Sequence, residues 1–242
     1  MSVSQGRRSP GAAETSPDPS WRELYRAGGV AGALFVALIA VSLALEFSAP
    51  RQPDAGGVAT LRSIAAHRKL YILKQALWYG PSVCAIVVFL SLYAALKRLN
   101  KSYAAIGAVA GVTSWALTLA WPATGGGAPS LVYLSDQYQA ATTDEERAAF
   151  AAAAEGFIAQ NVIPNPPGIL TPVGVLILSL LMLRGVFHKG VAYAGIATGV
   201  LGVVSEALRP IMGAGYLGYG LLLPAWFLAV GWRLYRLGGR AQ

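Results

Sequence analysis

The chain has 242 residues, of which 55% are apolar and only 12% are charged. Ordinary soluble domains carry about 25% charged residues, so this composition argues against a soluble protein and predicts an integral membrane protein. Its single cysteine, Cys84, excludes a secreted disulfide scaffold. The net charge of +8 does not predict a nucleic-acid partner, because the cations flank apolar stretches instead of forming one basic face.

The first 20 residues are predicted to be a disordered cytoplasmic tail, and residues 21–242 a six-helix transmembrane domain. The tail is polar and carries Pro10, Pro17 and Pro19, so it cannot bury enough apolar surface to fold. The apolar stretch that follows is longer than the core of a cleavable signal peptide, which favours a retained anchor.

Six apolar segments predict six transmembrane helices, since about 20 apolar residues are needed to cross the hydrocarbon layer. The segments cover residues 28–47, 76–96, 103–121, 168–183, 191–207 and 219–232. The expected fold is therefore all-α, with amphipathic helices in the first and third outer loops.

Lysines and arginines indicate the orientation, because cytoplasmic loops hold an excess of them. With both termini inside, 12 of the 19 cations lie on the inner side and 7 on the outer side. The first outer loop runs against this trend with five cations: Arg51, Arg62, Arg68, Lys69 and Lys74. The balance still predicts cytoplasmic termini.

Two glycine pairs predict close helix contacts. Gly107 and Gly111 lie four residues apart in the third span, as do Gly195 and Gly199 in the fifth. Small residues at this spacing let membrane helices approach closely, so both spans are expected inside the bundle. The pattern is informative about packing and carries no information about function.

A faint repeat relates two parts of the chain at an offset of 88 residues. The matches are Gly80 with Gly168, Leu90-Ser91-Leu92 with Leu178-Ser179-Leu180, Lys101 with Lys189, and Gly107 with Gly195. Apolar sequence of low complexity produces chance matches readily, so duplication and coincidence are both open.

The loop after the third span is predicted to hold two helices. Thr143 and Glu146 have the spacing of a capping box, which begins an alanine-rich helix that runs to residue 160. A shorter helix is expected over residues 131–138. In the first outer loop, residues 61–74 form a basic helical segment that could run into the second span.

These two loops carry opposite charges. Arg68 and Lys69 are basic, whereas Asp136, Glu145 and Glu146 are acidic. We expect the two segments to dock on each other over the mouth of the bundle. The alternative is that each lies separately on the lipid headgroups, with anionic lipid attracting the basic one.

Glu206 is the main candidate for a functional residue in the second half of the chain. A carboxylate near membrane depth is costly, and it is by default a candidate for function. Arg209 follows three residues later on the same helix face. The two form either a structural ion pair or a binding or proton site.

Two tryptophans, Trp115 and Trp226, fall within predicted spans, where an indole N–H needs a partner. Core packing with a local backbone acceptor is the simpler interpretation, and a polar cavity is the alternative.

Recognisable catalytic and metal motifs are absent from the sequence. His67 and His188 are the only histidines, and they are predicted on opposite sides of the membrane. No catalytic residue, cofactor or metal is therefore expected, and an enzyme is disfavoured.

Three short stretches resemble a known bacterial family: residues 26–32 (RAGGVAG), 96–101 (LKRLNK) and 233–238 (RLYRLG). Together they resemble the six-span membrane proteins of domain-of-unknown-function family 4386. The resemblance covers residues 22–238. It implies a multi-pass protein of the bacterial inner (cytoplasmic) membrane, and it brings no catalytic residues with it.

Two functional classes follow from these features. The first is a module that binds or transports a small molecule or lipid in an outer vestibule formed by the loop helices, Glu206 and Arg209. The second is a non-catalytic accessory or sensor subunit of a membrane complex. Expected partners are membrane lipid and either a second copy of the chain or another membrane protein. A cavity reaching into the membrane favours the first class, and a sealed bundle with an exposed groove favours the second.

Overall fold

Apolar stretches fold as helices because a helix satisfies its own backbone hydrogen bonds. The computed structural model describes residues 17–48, 56–120, 128–160, 166–185, 187–212 and 215–239. Within these ranges 91% of the residues are helical and none lies in a strand, so the predicted all-α fold is confirmed for this part of the chain.

A 3-10 turn, Pro19–Trp21, leads into the first of the described α-helices. In chain order these helices are α1 (Arg22–Ser48), α2 (Gly56–Ala66), α3 (Arg68–Leu77), α4 (Tyr79–Leu96), α5 (Lys101–Ala120), α6 (Ala128–Ala140), α7 (Asp144–Gln160), α8 (Pro166–Met182), α9 (Lys189–Ala207), α10 (Arg209–Met212) and α11 (Tyr216–Gly239).

Five helical segments are long and apolar enough to cross a membrane: Pro19–Leu45, Arg68–Leu96, α5, α9 and α11. The sixth predicted span corresponds to α8, which has only 17 residues. Apolar side chains on the outside of the bundle, such as Val109 (62% exposed) and Leu221 (70%), are typical of helices that contact lipid. Five candidate spans and this surface are typical of a membrane protein.

Six long helices form the bundle, and each one packs against two neighbours in the order α1, α4, α5, α8, α9, α11 and back to α1. Aromatic rings fill its centre. The rings of Phe35 and Phe227 stack with centroids 4.1 Å apart, and Phe89 meets Phe227 edge to face at 5.9 Å. These contacts join α1, α4 and α11.

The paired glycines lie where bundle helices touch. A Cβ at Gly107 would lie 2.8 Å from Leu178 on α8, and one at Gly199 would lie 2.7 Å from Leu176 on the same helix. A Cβ at Gly111 would overlap the ring of Phe89 on α4. The fourth, Gly195, faces Ser179 and Trp226. A larger residue at any of the four would force the helices apart.

The bounds of the two helix pairs α4–α5 and α8–α9 agree within two residues at the offset of 88 residues. Lys101 begins α5 and Lys189 begins α9. In each pair the residue before the second helix caps it: Asn100 Oδ1 accepts from the Tyr103 amide at 3.1 Å, and His188 Nδ1 accepts from the Gly190 amide at 3.0 Å. This correspondence agrees with the repeat.

Both turns lie at one end of the bundle, which we call the basic end. A Cβ at Gly185, in the α8–α9 turn, would lie 2.7 Å from Leu99 in the α4–α5 turn. The start of α1 and the end of α11 meet there too, since Arg22 Nε donates to the Gly238 carbonyl at 2.8 Å.

Residues 17–20 are held at the basic end, although the sequence predicted them in the disordered tail. The Asp18 carboxylate lies 3.5 Å from both Lys97 and Arg98. Hydrogen bonds from the Ser20 hydroxyl and amide hold the pKa of Asp18 below its usual range. These contacts place Asp18 and Ser20 at the basic end, and residues 1–16 of the predicted tail lie outside the described ranges.

The helices α2, α6 and α7 pack together as a separate unit, which we call the cap. Its core contains Leu61 and Ile64 of α2, Leu131 and Leu134 of α6, and Ala154 of α7. The helix predicted over residues 131–138 is confirmed as the longer α6.

The predicted capping box of α7 is also confirmed. Glu146 N donates to Thr143 Oγ1 at 3.2 Å, and the Thr143 amide donates to Glu146 Oε2 at 3.3 Å. The predicted basic helix over residues 61–74 is instead broken at His67, which separates α2 from α3. At Trp78, where α3 meets α4, the backbone stays in the helical region, and the two form one helical segment, Arg68–Leu96. The predicted continuation into the second span is therefore confirmed from Arg68 onward.

Candidate binding cavity

The site begins with Glu206, in the last turn of α9, whose side chain is only 2% exposed. Its Oε1 accepts a hydrogen bond from the Tyr216 hydroxyl at 2.5 Å. Its Oε2 lies 3.8 Å from Arg209 Nε, and it has no hydrogen-bond partner within the described residues. The carboxylate is thus buried, charge-paired and only half satisfied.

The chain reversal after α9 brings these three side chains together. The short α10 carries Arg209 back beside α9, and α11 begins at Tyr216. The Arg209 guanidinium lies over the Tyr216 ring at 5.2 Å, and its NH2 donates weakly to the phenol oxygen at 3.4 Å. Arg209 keeps 27% of its side chain exposed, which lowers the cost of holding its charge here.

A glycine in the first turn of α8 makes room for the carboxylate. A Cβ at Gly168 would lie 2.6 Å from Glu206 Cδ, well inside van der Waals contact. Three helices therefore define the position of this one side chain: α8 by close approach, α9 by its own backbone, and α11 by hydrogen bonding.

Glu206 lines a cavity of about 440 Å³ between five helices of the bundle, and its Oε2 is buried beside Gly168. Its lining comes from α1, α5, α8, α9 and α11, with Trp78 at the α3–α4 junction and Arg209 on α10. The lining residues are Phe35, Ile39, Leu43, Trp78, Ser114, Trp115, Thr118, Gly168, Thr171, Glu206, Arg209, Tyr216, Leu217, Tyr219, Gly220, Leu223 and Pro224.

Most of the polar groups in the lining are already engaged. The hydroxyls of Ser114 and Thr171 share a hydrogen bond of 2.5 Å between α5 and α8, and Thr118 Oγ1 donates to the Ser114 carbonyl at 3.0 Å. In contrast, Trp115 Nε1 is buried and finds no acceptor in the described part of the chain. Two residues of the lining, Trp115 and Glu206, therefore each carry a buried polar atom that has no partner among the described residues.

Aromatic side chains close the cavity toward the centre of the bundle. Phe35 and Trp115 line it and meet edge to face at 5.5 Å, and Phe35 stacks in turn on the buried Phe227. A charged pair and hydroxyl groups therefore line the same cavity as aromatic rings, an arrangement that suits binding.

The structure brings together Glu206 and Arg209, as the sequence predicted, and adds residues that the sequence did not identify. Tyr216 and Gly168 carried no signal, because their roles depend on a chain reversal and on helix contact. Trp115 could be singled out from the sequence, because a tryptophan in the middle of a predicted span needs a partner for its indole N–H. The simpler interpretation of a local backbone acceptor is wrong for both Trp115 and Trp226, whose Nε1 atoms lack partners among the described residues.

The predicted loop contacts form in part, and away from this cavity. Arg68 meets Asp136 at 2.6 Å, on the edge between α3 and the cap. The Glu146 carboxylate accepts hydrogen bonds from the Thr142 and Thr143 amides instead of pairing with a basic residue of α3. Lys69 and Glu145 make no ion pair within the described ranges. The docking of α2 on α6 and α7 depends mainly on apolar contacts, and no described residue of the cap lines the Glu206 cavity.

A second cavity, of about 410 Å³, lies between α3 and α6. Arg68 and Asp136, which pair with each other, line it together with Ile72, Gln75, Ala76, Tyr79, Val132 and Tyr133. It has no buried polar atom without a partner among these residues, which makes it the weaker candidate for a site.

No metal cluster strengthens either cavity: the described residues contain no group of three or more His, Cys, Asp or Glu placed to hold a metal ion. Comparison with known proteins finds no matching family model, curated protein or solved structure. The resemblance to domain-of-unknown-function family 4386 therefore stays a prediction from the sequence.

Proposed function

We propose that this chain is a membrane protein that binds a small, mostly apolar molecule in the Glu206 cavity, either to carry it across the membrane or to hold it there. The observation that carries the proposal is a buried carboxylate with one oxygen unsatisfied, on a residue that lines an apolar cavity of about 440 Å³. Ligand cavities commonly measure about 300–1,000 Å³ and place a few polar groups among apolar walls.

The energetics support a functional role for this carboxylate. A buried ion pair is weak evidence for stability, because the cost of desolvation rivals the attraction between the charges. An unmade hydrogen bond to a buried charged group costs about 1–3 kcal/mol or more. A ligand that donates to Glu206 Oε2 would recover this energy on binding.

In the proposed membrane arrangement α8 is the sixth crossing. The chain leaves the basic end with α5 and begins α9 at the basic end, so a returning crossing is needed between them. α8 is the apolar helix that packs between α5 and α9. Its 17 residues rise about 26 Å, slightly less than the roughly 30 Å hydrocarbon layer, and a bilayer can thin locally to match it.

The positive-inside rule then orients the bundle. The basic end carries Arg22, Lys97, Arg98 and Arg236, so we place it and both termini in the cytoplasm of a bacterial cell, with the protein in the inner membrane. The cap and the end of α9 that carries Glu206 then face outward. We keep membrane lipid and a second copy of the chain or another membrane protein as proposed partners.

The binding function is favoured over an accessory subunit by the cavity itself, which reaches from Arg209 to the aromatic centre of the bundle. A matched pair of glycine variants tests it. A Cβ at Gly220, which lines the cavity, meets nothing within 4 Å, and the same is true of Gly156 on the cap helix α7. Gly220→Leu should fill the cavity without disturbing the helices, and Gly156→Leu controls for the change in helix propensity.

The measurement is native mass spectrometry of the protein in lipid nanodiscs, which reports bound small molecules and copy number together. We expect wild type and Gly156→Leu to retain a small molecule that Gly220→Leu has lost. Retention by all three proteins, or an empty wild type, would argue against the proposal.

A further inference from the structure

The ligand's chemistry can be narrowed further, on the condition that the proposed binding function holds. We propose that the Glu206 cavity takes a neutral molecule with an apolar body and a hydroxyl group, and that the hydroxyl donates to Glu206 Oε2. Three features of the described residues lead to this: the charge balance of the lining, the two unpartnered polar atoms, and the composition of the walls.

The charge balance favours a neutral ligand. Glu206 and Arg209 are the charged residues among those described in the lining, and their opposite charges lie 3.8 Å apart. A cation would gain from Glu206 but would be repelled by Arg209, and an anion would meet the reverse. Burying a net charge in a site that is already balanced is costly, whereas a neutral ligand avoids this cost.

The unpartnered atoms favour a hydroxyl. Glu206 Oε2 can only accept a hydrogen bond, and Trp115 Nε1 can only donate one. A pure hydrocarbon would leave both unmet, and a carbonyl compound would leave the carboxylate oxygen unmet. A hydroxyl group both donates and accepts, so it matches the hydrogen-bonding capacity of either atom.

The walls favour an apolar and partly aromatic body. Phe35, Ile39, Trp115 and Leu223 surround the inner part of the cavity. A side chain of the ligand with aromatic character would pack edge to face against Phe35 and Trp115, which already meet each other in that geometry.

The test uses three probes of nearly equal size and shape: phenylbutanol, its charged counterpart phenylbutylamine, and the hydrocarbon butylbenzene. Binding to the full chain in nanodiscs is followed by tryptophan fluorescence, since Trp78 and Trp115 line the cavity. Gly220→Leu provides the background from partitioning into lipid. A hydrogen bond to a charged acceptor predicts that phenylbutanol binds about tenfold or more tightly than butylbenzene, and at least as tightly as the amine.

A second pair of variants tests the acceptor side. Trp115→Phe removes the unpartnered N–H in the cavity, and Trp226→Phe removes a second unpartnered N–H that does not line it. We expect Trp115→Phe to weaken phenylbutanol about fivefold while leaving butylbenzene unchanged, and Trp226→Phe to change neither. Equal effects of the two variants on phenylbutanol would overturn the assignment of Trp115.

The outcomes separate the two proposals. If none of the probes binds above the Gly220→Leu background, the binding function itself fails. If butylbenzene binds as tightly as phenylbutanol, binding stands and the hydroxyl requirement is overturned. If phenylbutylamine binds more than about tenfold tighter than the alcohol, the site recognises cations and the neutral ligand is overturned.

Discussion

The cap depends on one close backbone contact, which makes Gly57→Ala a sharp test of how it is held. Gly57 lies in the first turn of α2, and a Cβ there would overlap the carbonyl oxygen of Ala151 and lie 3.0 Å from its carbon on α7. Carbon atoms normally approach to about 3.5–4.0 Å, so α2 must move away by roughly 0.5–1 Å. The Gly57 amide also donates to Glu155 Oε1 at 2.6 Å, and this movement would break that bond.

These contributions set the size of the effect. Forced overpacking costs about 1–3 kcal/mol, and losing a hydrogen bond to a charged acceptor costs about 1.5–3 kcal/mol more. Alanine returns up to about 1 kcal/mol through its higher helix propensity. The cap should therefore be destabilised by about 1.5–6 kcal/mol relative to the rest of the bundle.

Hydrogen exchange measures this local opening directly, because a helix that undocks more often exchanges its amides faster. We expect amides of α2 and α7 to exchange at least about tenfold faster in Gly57→Ala, while those of α9 and α11 are unchanged. Gly156→Ala on the exposed side of α7 is the control and should slow exchange slightly, since its Cβ meets open space. Equal exchange in the two variants would refute the claim that this contact holds the cap.

Three further predictions concern other contacts. The amides of Thr142 and Thr143 hold the pKa of Glu146 below its usual range. The stability that the Glu146 carboxylate lends to α7 is therefore complete above the ordinary glutamate range and is lost as the pH falls through the lowered pKa. The faster amide exchange that this loss causes at the start of α7 in acid should disappear in Glu146→Gln. Arg68 and Asp136 are both about half exposed. A double-mutant cycle measured by amide hydrogen exchange in the cap should therefore give a coupling of only about 0–1 kcal/mol. A coupling near 3 kcal/mol would mean that the ion pair, and not the apolar contact, docks the cap. Gly111→Ala places a methyl group against an aromatic ring on α4 and should lower the melting temperature in detergent, whereas Gly218→Ala makes an ordinary contact of 3.6 Å and should not.

The sequence alone determined those features that depend on neighbouring residues. Long apolar stretches favour helices, so the apolar helices could be predicted, and the capping box of Thr143 and Glu146 needs only residues three apart. The pairing of Glu206 with Arg209 also joins residues three apart, although α9 ends between them and Arg209 belongs to α10. Each of these interactions is local, because its partners are close together in the chain.

Only the tertiary structure decided how distant residues meet. It paired Arg68 with Asp136 and left Glu146 to cap its own helix, because the position of α6 determines which acidic residue is within reach. It also placed Tyr216 and Gly168 around Glu206 and opened a cavity beside Trp115. A cavity is the space that packed helices leave unfilled, and that space depends on contacts between helices far apart in the chain.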